Sequence, residues 1–349
     1  MSIAAVDGHQ AKRQRATKLV GTHSGTFHAD EALAVYLVRN LPDFKDADLV
    51  RTRDPKKLEE CDIVLDVGGV YDPSSHRYDH HQRGFEETFS PSHSTKLSSA
   101  GLVYKHFGKQ LIKLAFHSQS QNHGEPITDG SEKLEILYIK VYENFVEALD
   151  GIDNGIQQYE GDGKARYSSR TDLSSRVSHL NPSWNEPSND RVLDEKFQSA
   201  SSLAGTEFYA ALNRAALSWY PARSLIEGAV KTRKTHDPSG QLIVFDEFAP
   251  WKEHLFLLEK ELQIPEAERP VYIIYPDESG KWRIQAVPVS PDSFQSRKPL
   301  PEQWRGVRDQ ALSDLTGIPG CIFVHASGFI GGNANSEGVL EMARKALAT

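Results

Sequence analysis

The sequence predicts an α/β protein with a doubly wound, mostly parallel sheet and a second, smaller α/β domain. Short apolar runs typical of strands alternate with helical patterns in the first half of the chain. One of these runs, residues 61–67, is apolar throughout most of its length, as in strands buried on both faces of a parallel sheet. Beyond residue 235 strand-like runs become more frequent, which indicates a change of domain.

In the first half, the elements follow from apolar runs and apolar spacing. Strands are predicted at residues 18–22, 48–52 and 61–67, and the last of these ends at Gly68 and Gly69. Helices are predicted at residues 31–40, 98–107 and 132–149, the second capped by Ser98 or Ser99.

In the second half, residues 162–190 are rich in Ser, Asn, Pro and Gly and are predicted to connect domains. Residues 191–235 are predicted to be largely helical as far as Pro221. Strands are predicted at residues 241–245, 271–275, 282–287 and 321–325, with a turn at 277–280 that indicates a hairpin. A Gly-rich stretch at 328–333 precedes a final helix from residue 336.

These elements predict four regions. They are a disordered tail at residues 1–17, a first α/β domain at 18–160, a linker and helical connection at 161–235, and a C-terminal domain at 236–349.

Composition restricts the class of protein. The 349 residues contain no apolar run near the roughly 20 residues needed to cross a bilayer, so no membrane partner is expected. Cys61 and Cys321 are the two cysteines, and their separation argues against a disulfide framework and favours a reducing, intracellular compartment. The net charge of −8 does not exclude nucleic acid, because bound cations would offset metal-binding carboxylates.

The start of the chain is basic and lacks the apolar centre of a secretory signal. Its basic residues are Lys12, Arg13, Arg15 and Lys18. They are typical either of a disordered tail or of an address for the nucleus or mitochondrion, and a cytoplasmic location stays open.

Three segments of the first half place His and Asp residues where a predicted strand ends. They contain His23, His28 and Asp30 in the first segment, Asp66 in the second, and His80 and His81, after Asp79, in the third. A further acidic segment with Asp150 and Asp153 follows the long helix. Because ligands of open α/β sheets bind beyond the carboxyl ends of strands, we expect the three segments to share one crevice.

Imidazole and carboxylate groups together favour a divalent transition ion such as manganese, with magnesium as the alternative. More than four candidate ligands indicate two ions, bridged by a carboxylate such as Asp66. Two ions about 3.5–4 Å apart can activate a water and stabilise the leaving oxygen of a phosphoester. Taken singly, Asp30 would be explained as a favourable charge at a helix start, and His80 and His81 as surface histidines. Their joint placement predicts a metal site.

The run Asp79-His80-His81, the upstream His23, His28 and Asp30, and the strand-terminal Asp66 resemble the DHH phosphoesterase superfamily. Within it, the sequence is similar to the melanocyte-proliferating-gene family of 3′–5′ RNA exonucleases. The matching segments are THSGTFHADEALA, DIVLDVGGVYD, RYDHHQRGF, LSSAGLVYKHFG, ALDGIDNGI, PWKEHLF, SRKPLPEQWRG and VHASGFIGGN. They extend from about residue 18 to 335.

The resemblance implies a DHH-like architecture of two α/β domains, two manganese-like ions and hydrolysis of single-stranded RNA in a cleft between the domains. It implies roles for the residues that match the motifs. His23, His28, Asp30 and His80 would be metal ligands, Asp66 the bridging and catalytic ligand, His81 a catalytic contact to substrate phosphate, and Asp153 the distal ligand, with Asp150 as its alternative.

Two segments of the C-terminal domain are candidates for binding substrate. Ser296-Arg297-Lys298 combines a forked guanidinium with a compact charge, which suits a phosphate, although a solvated basic turn has the same composition. Gly331 and Gly332 allow a phosphate to approach the backbone closely, or form a simple loop.

Three functions fit these patterns. The first is a 3′–5′ exoribonuclease, and the second is hydrolysis of pyrophosphate, dinucleotides or short oligonucleotides by the same ligand set. The third is an inactive RNA-binding scaffold, which the clustered carboxylates disfavour because they repel one another without metal. The sequence leaves open whether the chain forms a homo-oligomer.

Overall fold

The computed structural model describes residues 17–117, 127–159 and 167–349. The chain folds as two compact units that divide between Ala215 and Ala216. This division lies within residues 161–235, the segment predicted to connect two domains. Of the predicted tail, all but Thr17 lies outside the described residues.

The first unit contains a five-stranded sheet. Its strands are β1 (Leu19–Thr22), β2 (Asp48–Arg51), β3 (Ile63–Leu65), β4 (Tyr71–Asp72) and β5 (Arg77–Tyr78), in the order β2-β1-β3-β5-β4. Neighbouring strands are parallel except at the edge, where β4 is antiparallel to β5. The predicted α/β class is therefore confirmed, with a mixed sheet.

Seven helices are described in the first unit. They are α1 (Ala29–Arg39), α2 (Pro55–Glu59), α3 (Ser99–His117), α4 (Glu132–Val141), α5 (Glu147–Asp153), α6 (Leu173–Ser178) and α7 (Asp190–Arg214). A π-helical turn, Tyr142–Val146, joins α4 to α5, so the helix predicted at 132–149 continues to Asp153. Helix α3 ends ten residues later than predicted, and the short helices α2 and α6 were not predicted.

Helix α1 begins where its first residues favour a helix start. Asp30 and Glu31 lie in the first turn, where the helix dipole stabilises negative charge. The Glu31 side chain turns back, and its Oε1 accepts a hydrogen bond from the backbone N–H of His28 at 2.8 Å. Leu33, Leu37 and other apolar residues of α1 are fully buried. The start of α1 is thus fixed by both packing and capping.

The second unit contains another five-stranded sheet and four helices. The strands are β6 (Leu242–Val244), β7 (Tyr272–Pro276), β8 (Trp282–Ala286), β9 (Cys321–Val324) and β10 (Ile330–Asn333), in the order β6-β7-β8-β10-β9. The helices are α8 (Tyr220–Thr232), α9 (Trp251–Glu261), α10 (Asp309–Thr316) and α11 (Ser336–Ala348). Strand β6 is parallel to β7, and the other pairs are antiparallel, which confirms the hairpin of β7 and β8.

Two sequence predictions for the second unit are wrong. Pro221 does not end a helix, because it lies in the first turn of α8, where the missing N–H needs no helical partner. The Gly-rich stretch is not a loop, since residues 330–333 form β10 between β8 and β9. A Cβ on Gly331 would lie 3.0 Å from the backbone oxygen of Phe323, so glycine permits the close strand contact.

Across the part of the chain that the structure describes, helices with the length and apolar character of a membrane span are absent.

Candidate metal centre

The centre forms where three parallel strands end. Strands β1, β3 and β5 are neighbours, so their carboxyl ends lie at one edge of the sheet. His23 follows β1, Asp66 follows β3, and the Asp79-His80-His81 run follows β5. The first turn of α1 and the last turn of α5 contribute Asp30 and Asp153.

Asp66 lies between the histidines of the other two strands. Its Oδ2 is 3.4 Å from His23 Nε2, and its Oδ1 is 3.3 Å from His80 Nε2. The Ser99 hydroxyl donates a hydrogen bond to Oδ1 at 3.1 Å. Asp66 has φ +57°, a left-handed conformation that Asp tolerates better than most residues. This conformation turns the chain immediately after β3 and places a carboxylate at the sheet edge.

The predicted ligands come together in overlapping groups. The groups, each with ligand atoms within 4.8 Å of one another, are His23, His28 and Glu31; Asp66, His80 and His81; His28, Asp30 and Asp153; and Asp30, Glu31 and Asp66. Asp153 Oδ2 also lies 3.1 Å from His80 Nε2. All six residues predicted as ligands thus belong to one cluster.

Several buried polar atoms of this cluster lack a protein partner. Asp30 is only 1% exposed, yet neither of its carboxylate oxygens forms a hydrogen bond with the described residues. The same holds for Glu31 Oε2. Buried polar atoms without a partner cost stability, so they indicate a ligand. Carboxylate and imidazole donors fit a divalent transition ion.

The electrostatics of the cluster lead to the same inference. Burial raises the pKa of Asp30 well above its usual value, and neighbouring Asp66 and Glu31 raise it further. Burial by itself would lower the pKa of His23 and of His80, but carboxylates around each ring raise both pKa values to about 10. Protonated imidazoles thus balance the crowded carboxylates, and a bound cation would replace those protons.

His81 is held differently from His80. Asp79 Oδ1 accepts a hydrogen bond from the His81 backbone N–H at 3.0 Å and lies 2.7 Å from His81 Nδ1. Asp79 Oδ2 accepts from the Gly69 backbone N–H at 2.5 Å. The hydrogen bond to Asp79 raises the pKa of His81, whose side chain is 61% exposed. With Nδ1 occupied, the Nε2 side of the ring is the one available to a substrate.

The structure distinguishes the role of Asp153 from that of Asp150. Asp150 is fully buried, and its Oδ1 accepts hydrogen bonds from Ser98 N, Ser98 Oγ and Gly101 N at 2.7–3.1 Å. Tyr142 Oη donates to its Oδ2 at 3.1 Å. Burial raises the pKa of Asp150 to about 7, although these hydrogen bonds act in the opposite direction. Asp150 therefore ties α3 to α5, and Asp153 is the carboxylate that reaches the cluster.

Sequence reasoning missed Glu31 as a candidate ligand. Its Oε1 lies 2.9 Å from His23 Nε2, and the residue is fully buried. The available signal was its position directly after Asp30, which we attributed to the helix dipole. Ser99 was predicted only as a possible helix cap, whereas its hydroxyl bonds to Asp66.

A cavity of about 650 Å³ opens beside the cluster. On one side it is lined by His28, Ala29, Asp30, Asp66 and His81, and by Leu149, Ile152 and Asp153 of α5. On the other side it is lined by Ser169, Arg170, Asp172, Ser174, Ser175, Ser178 and His179. This second group was not singled out from the sequence, because it lies in a segment that was interpreted as a linker.

The predicted substrate-binding residues of the second unit have partners within that unit. Arg297 forms a two-pronged ion pair with Glu259, with Nη1–Oε1 at 2.6 Å and Nη2–Oε2 at 2.8 Å. Lys298 Nζ donates to the backbone oxygen of Leu347 at 2.7 Å, and Ser296 forms an isolated bridge with Pro288. Gly331 and Gly332 lie inside β10. Their predicted role in substrate binding stays a prediction.

Comparison with known proteins identifies the family. A model of the MYG1 exonuclease family, described as an uncharacterised protein family (UPF0160), matches residues 19–347. The MYG1 exonuclease of Homo sapiens is 52% identical over 335 residues, which cover 94% of this chain and 85% of the human protein. The MYG1 protein of Schizosaccharomyces pombe is 52% identical over 330 residues, covering 94% and 97% of the two chains. The MYG1 protein of Saccharomyces cerevisiae is 46% identical over 337 residues, covering 95% and 96%. No solved structure matches the chain. The chain therefore belongs to the MYG1 exonuclease family.

Proposed function

We propose that this protein is a metal-dependent phosphodiesterase that acts as a 3′–5′ exoribonuclease on single-stranded RNA. It would bind two divalent ions on a DHH-like fold, with manganese as the expected metal and magnesium as the alternative. The observation that carries the proposal is the buried Asp30 carboxylate, which lacks a hydrogen-bond partner among the described residues and lies within the His/Asp cluster. The exonuclease name of the human relative supports the reaction class.

The residues of the site divide into metal ligands and one residue that contacts the substrate. His23, His28, Asp30, His80 and Asp153 would hold the ions, with Asp66 between them and Glu31 as a further ligand. Two bound ions would neutralise phosphate charge and lower the pKa of an attacking water. His81, oriented by Asp79, would donate a hydrogen bond to the scissile phosphate as its charge develops.

The cavity supports a nucleotide substrate over pyrophosphate. Its volume of about 650 Å³ falls in the usual range for organic ligands, roughly 300–1,000 Å³. Leu149 and the half-exposed Ile152 add apolar surface, which a base or ribose can cover and an inorganic phosphate cannot.

The test begins with metal-stripped protein. Manganese binding is titrated by calorimetry, and bound metal is counted by elemental analysis, with about two ions per chain expected. Hexaribonucleotides labelled at either end are then compared with the same DNA sequence and with pyrophosphate. Stepwise shortening of RNA from its 3′ end supports the proposal. Hydrolysis of pyrophosphate alone, or a protein that binds no divalent ion, would overturn it.

A further inference from the structure

The far wall of the cavity, residues 169–181, is fastened to the metal centre. Asn181 Oδ1 accepts a hydrogen bond from the backbone N–H of Phe27 at 3.1 Å, and its Nδ2 donates to the Phe27 oxygen at 2.9 Å. Phe27 directly precedes His28 of the cluster. Val177 of α6 is fully buried. These contacts anchor the C-terminal end of the wall beside the candidate ligands.

The wall presents polar groups to the cavity from one side of α6. Ser174 and Ser178 are four residues apart, as are Ser175 and His179, so each pair lies on the same side of the helical segment. Arg176 does not line the cavity, because its guanidinium pairs with Glu207 of α7 at 2.9 Å. Arg170, which precedes α6, does line the cavity.

Arg170 differs from the other lining residues in charge. It is the only Arg or Lys among the described residues that line the cavity. Within the described part of the chain, its guanidinium has no ion pair or hydrogen bond, and the His179 ring has none either. The cluster carboxylates would hold the proposed ions. An unpaired guanidinium beside them is therefore available to a substrate anion.

We propose that Arg170 and His179 bind a second phosphate of the RNA, next to the phosphate that is cleaved. This inference rests on the proposed function. A guanidinium matches two phosphate oxygens at once, and an imidazole N–H adds one further donor. The site would thereby prefer oligonucleotides, which carry consecutive phosphates, over substrates with a single phosphate.

The experiment measures binding separately from turnover. The probe is a fluorescent hexaribonucleotide with phosphorothioate linkages, titrated with protein and manganese and followed by anisotropy at several salt concentrations. Arg170→Ala should weaken binding by roughly 10- to 100-fold, the effect of one lost charge-assisted contact. It should also make the slope of log affinity against log salt shallower by about 0.7, since one phosphate contact to a single strand is lost.

Three further variants make the result specific. Arg176→Ala removes an equal charge outside the cavity and should bind as the wild type does. Arg170→Lys keeps the charge but not the fork, so it should keep the salt slope and bind with intermediate affinity. His179→Ala should weaken binding less than Arg170→Ala, because the imidazole offers one N–H donor to the phosphate where the guanidinium offers two.

The outcomes separate this inference from the proposed function. Equal binding by wild type and Arg170→Ala, an equal loss in Arg176→Ala, or no binding by the wild type would each overturn the inference. Binding that depends on Arg170, without hydrolysis of the unmodified RNA, would leave the subsite standing and remove the exonuclease proposal. Circular dichroism verifies that the variants are folded.

Discussion

Asp30 in the first unit and Arg297 in the second are both charged side chains with little exposure, 1% for the residue and 14% for the side chain respectively. The Arg297 guanidinium forms a bidentate ion pair with Glu259. The Asp30 oxygens have no hydrogen-bond donor among the described residues. The sequence marked both as functional, and their surroundings now distinguish them.

The two side chains differ in whether they need a bound ligand. A buried ion that is paired and hydrogen-bonded contributes to the structure without a ligand. A buried carboxylate without a donor is costly unless it is protonated or binds a cation. We therefore expect changes in the cluster of the first unit to affect metal and turnover, and changes at Arg297 to affect stability.

The largest effect is expected for Asp66→Ala. Asp66 contacts His23 and His80, so its loss removes the carboxylate that connects ligands from three strands. Bound manganese should fall below one ion per chain, and RNA hydrolysis should fall by more than the roughly 10²–10³ typical of one lost donor. Elemental analysis and a turnover assay measure both quantities on the same sample.

Asp46→Ala is the control, since Asp46 is an exposed carboxylate of the same unit before β2. It should keep full metal content and activity. An Asp66→Ala protein that retains two ions would show that Asp66 is not a ligand.

The next effect is expected for His81→Ala. His81 lies at the cavity with its Nδ1 bonded to Asp79, so the variant loses a donor to phosphate but keeps the buried ligands. Turnover should fall by roughly 10²–10³, the scale for one preorganised donor. Metal content should stay at the wild-type value. Parallel loss of metal, as in Asp66→Ala, would assign His81 to the metal ligands instead.

The elements that the sequence predicted well are marked by apolar runs or by apolar residues at helical spacing. Strands β1, β2 and β3 and the hairpin of β7 and β8 follow from such runs, to within two residues at each end. Strands β4 and β5 have two residues each, and α2 and α6 have five and six, which is too short for a periodic pattern. Strand β10 was missed because pairing on both sides outweighs the low strand propensity of glycine.

The candidate ligands were predictable because strand ends mark the functional edge of a parallel sheet. Contact partners that are distant in sequence were not predictable. Glu259 lies 38 residues from Arg297, and Asn181 lies 154 residues from Phe27, so no local pattern reveals either contact. The sequence therefore identified charged groups, but not which of them are already paired.

A smaller effect, on stability, is expected for Arg297→Ala. Removing the guanidinium leaves Glu259 buried without its ion pair, and the free energy of unfolding should fall by about 3 kcal/mol, the low end for a broken buried pair. Urea denaturation measures the change. The double variant Arg297→Met with Glu259→Leu should recover most of it, because no buried charge is left unpaired. Unchanged stability with weakened RNA binding would instead support the phosphate clamp predicted from the sequence.

The smallest effect on the free energy of unfolding is expected for Asp150→Asn at acidic pH. This variant replaces a fully buried carboxyl by its neutral amide counterpart. The Asn oxygen can accept from Ser98 and Gly101, and its NH₂ can donate to Tyr142 Oη, so the packing of α3 on α5 is kept. The pKa of Asp150 is raised to about 7, so the folded protein holds a proton that the unfolded chain releases near pH 4. Between these two pH values the wild type binds more protons folded than unfolded, and its stability falls as pH rises. The difference in free energy of unfolding, variant minus wild type, should therefore grow from about pH 4 to about pH 7 and then level off.

Urea denaturation of both proteins without metal measures this difference. Metal content is measured separately at neutral pH, where it should stay unchanged in Asp150→Asn but fall in Asp153→Asn. A difference that is flat across this range, or metal lost from both variants alike, would contradict the assignment of Asp150 to helix packing and Asp153 to the metal centre.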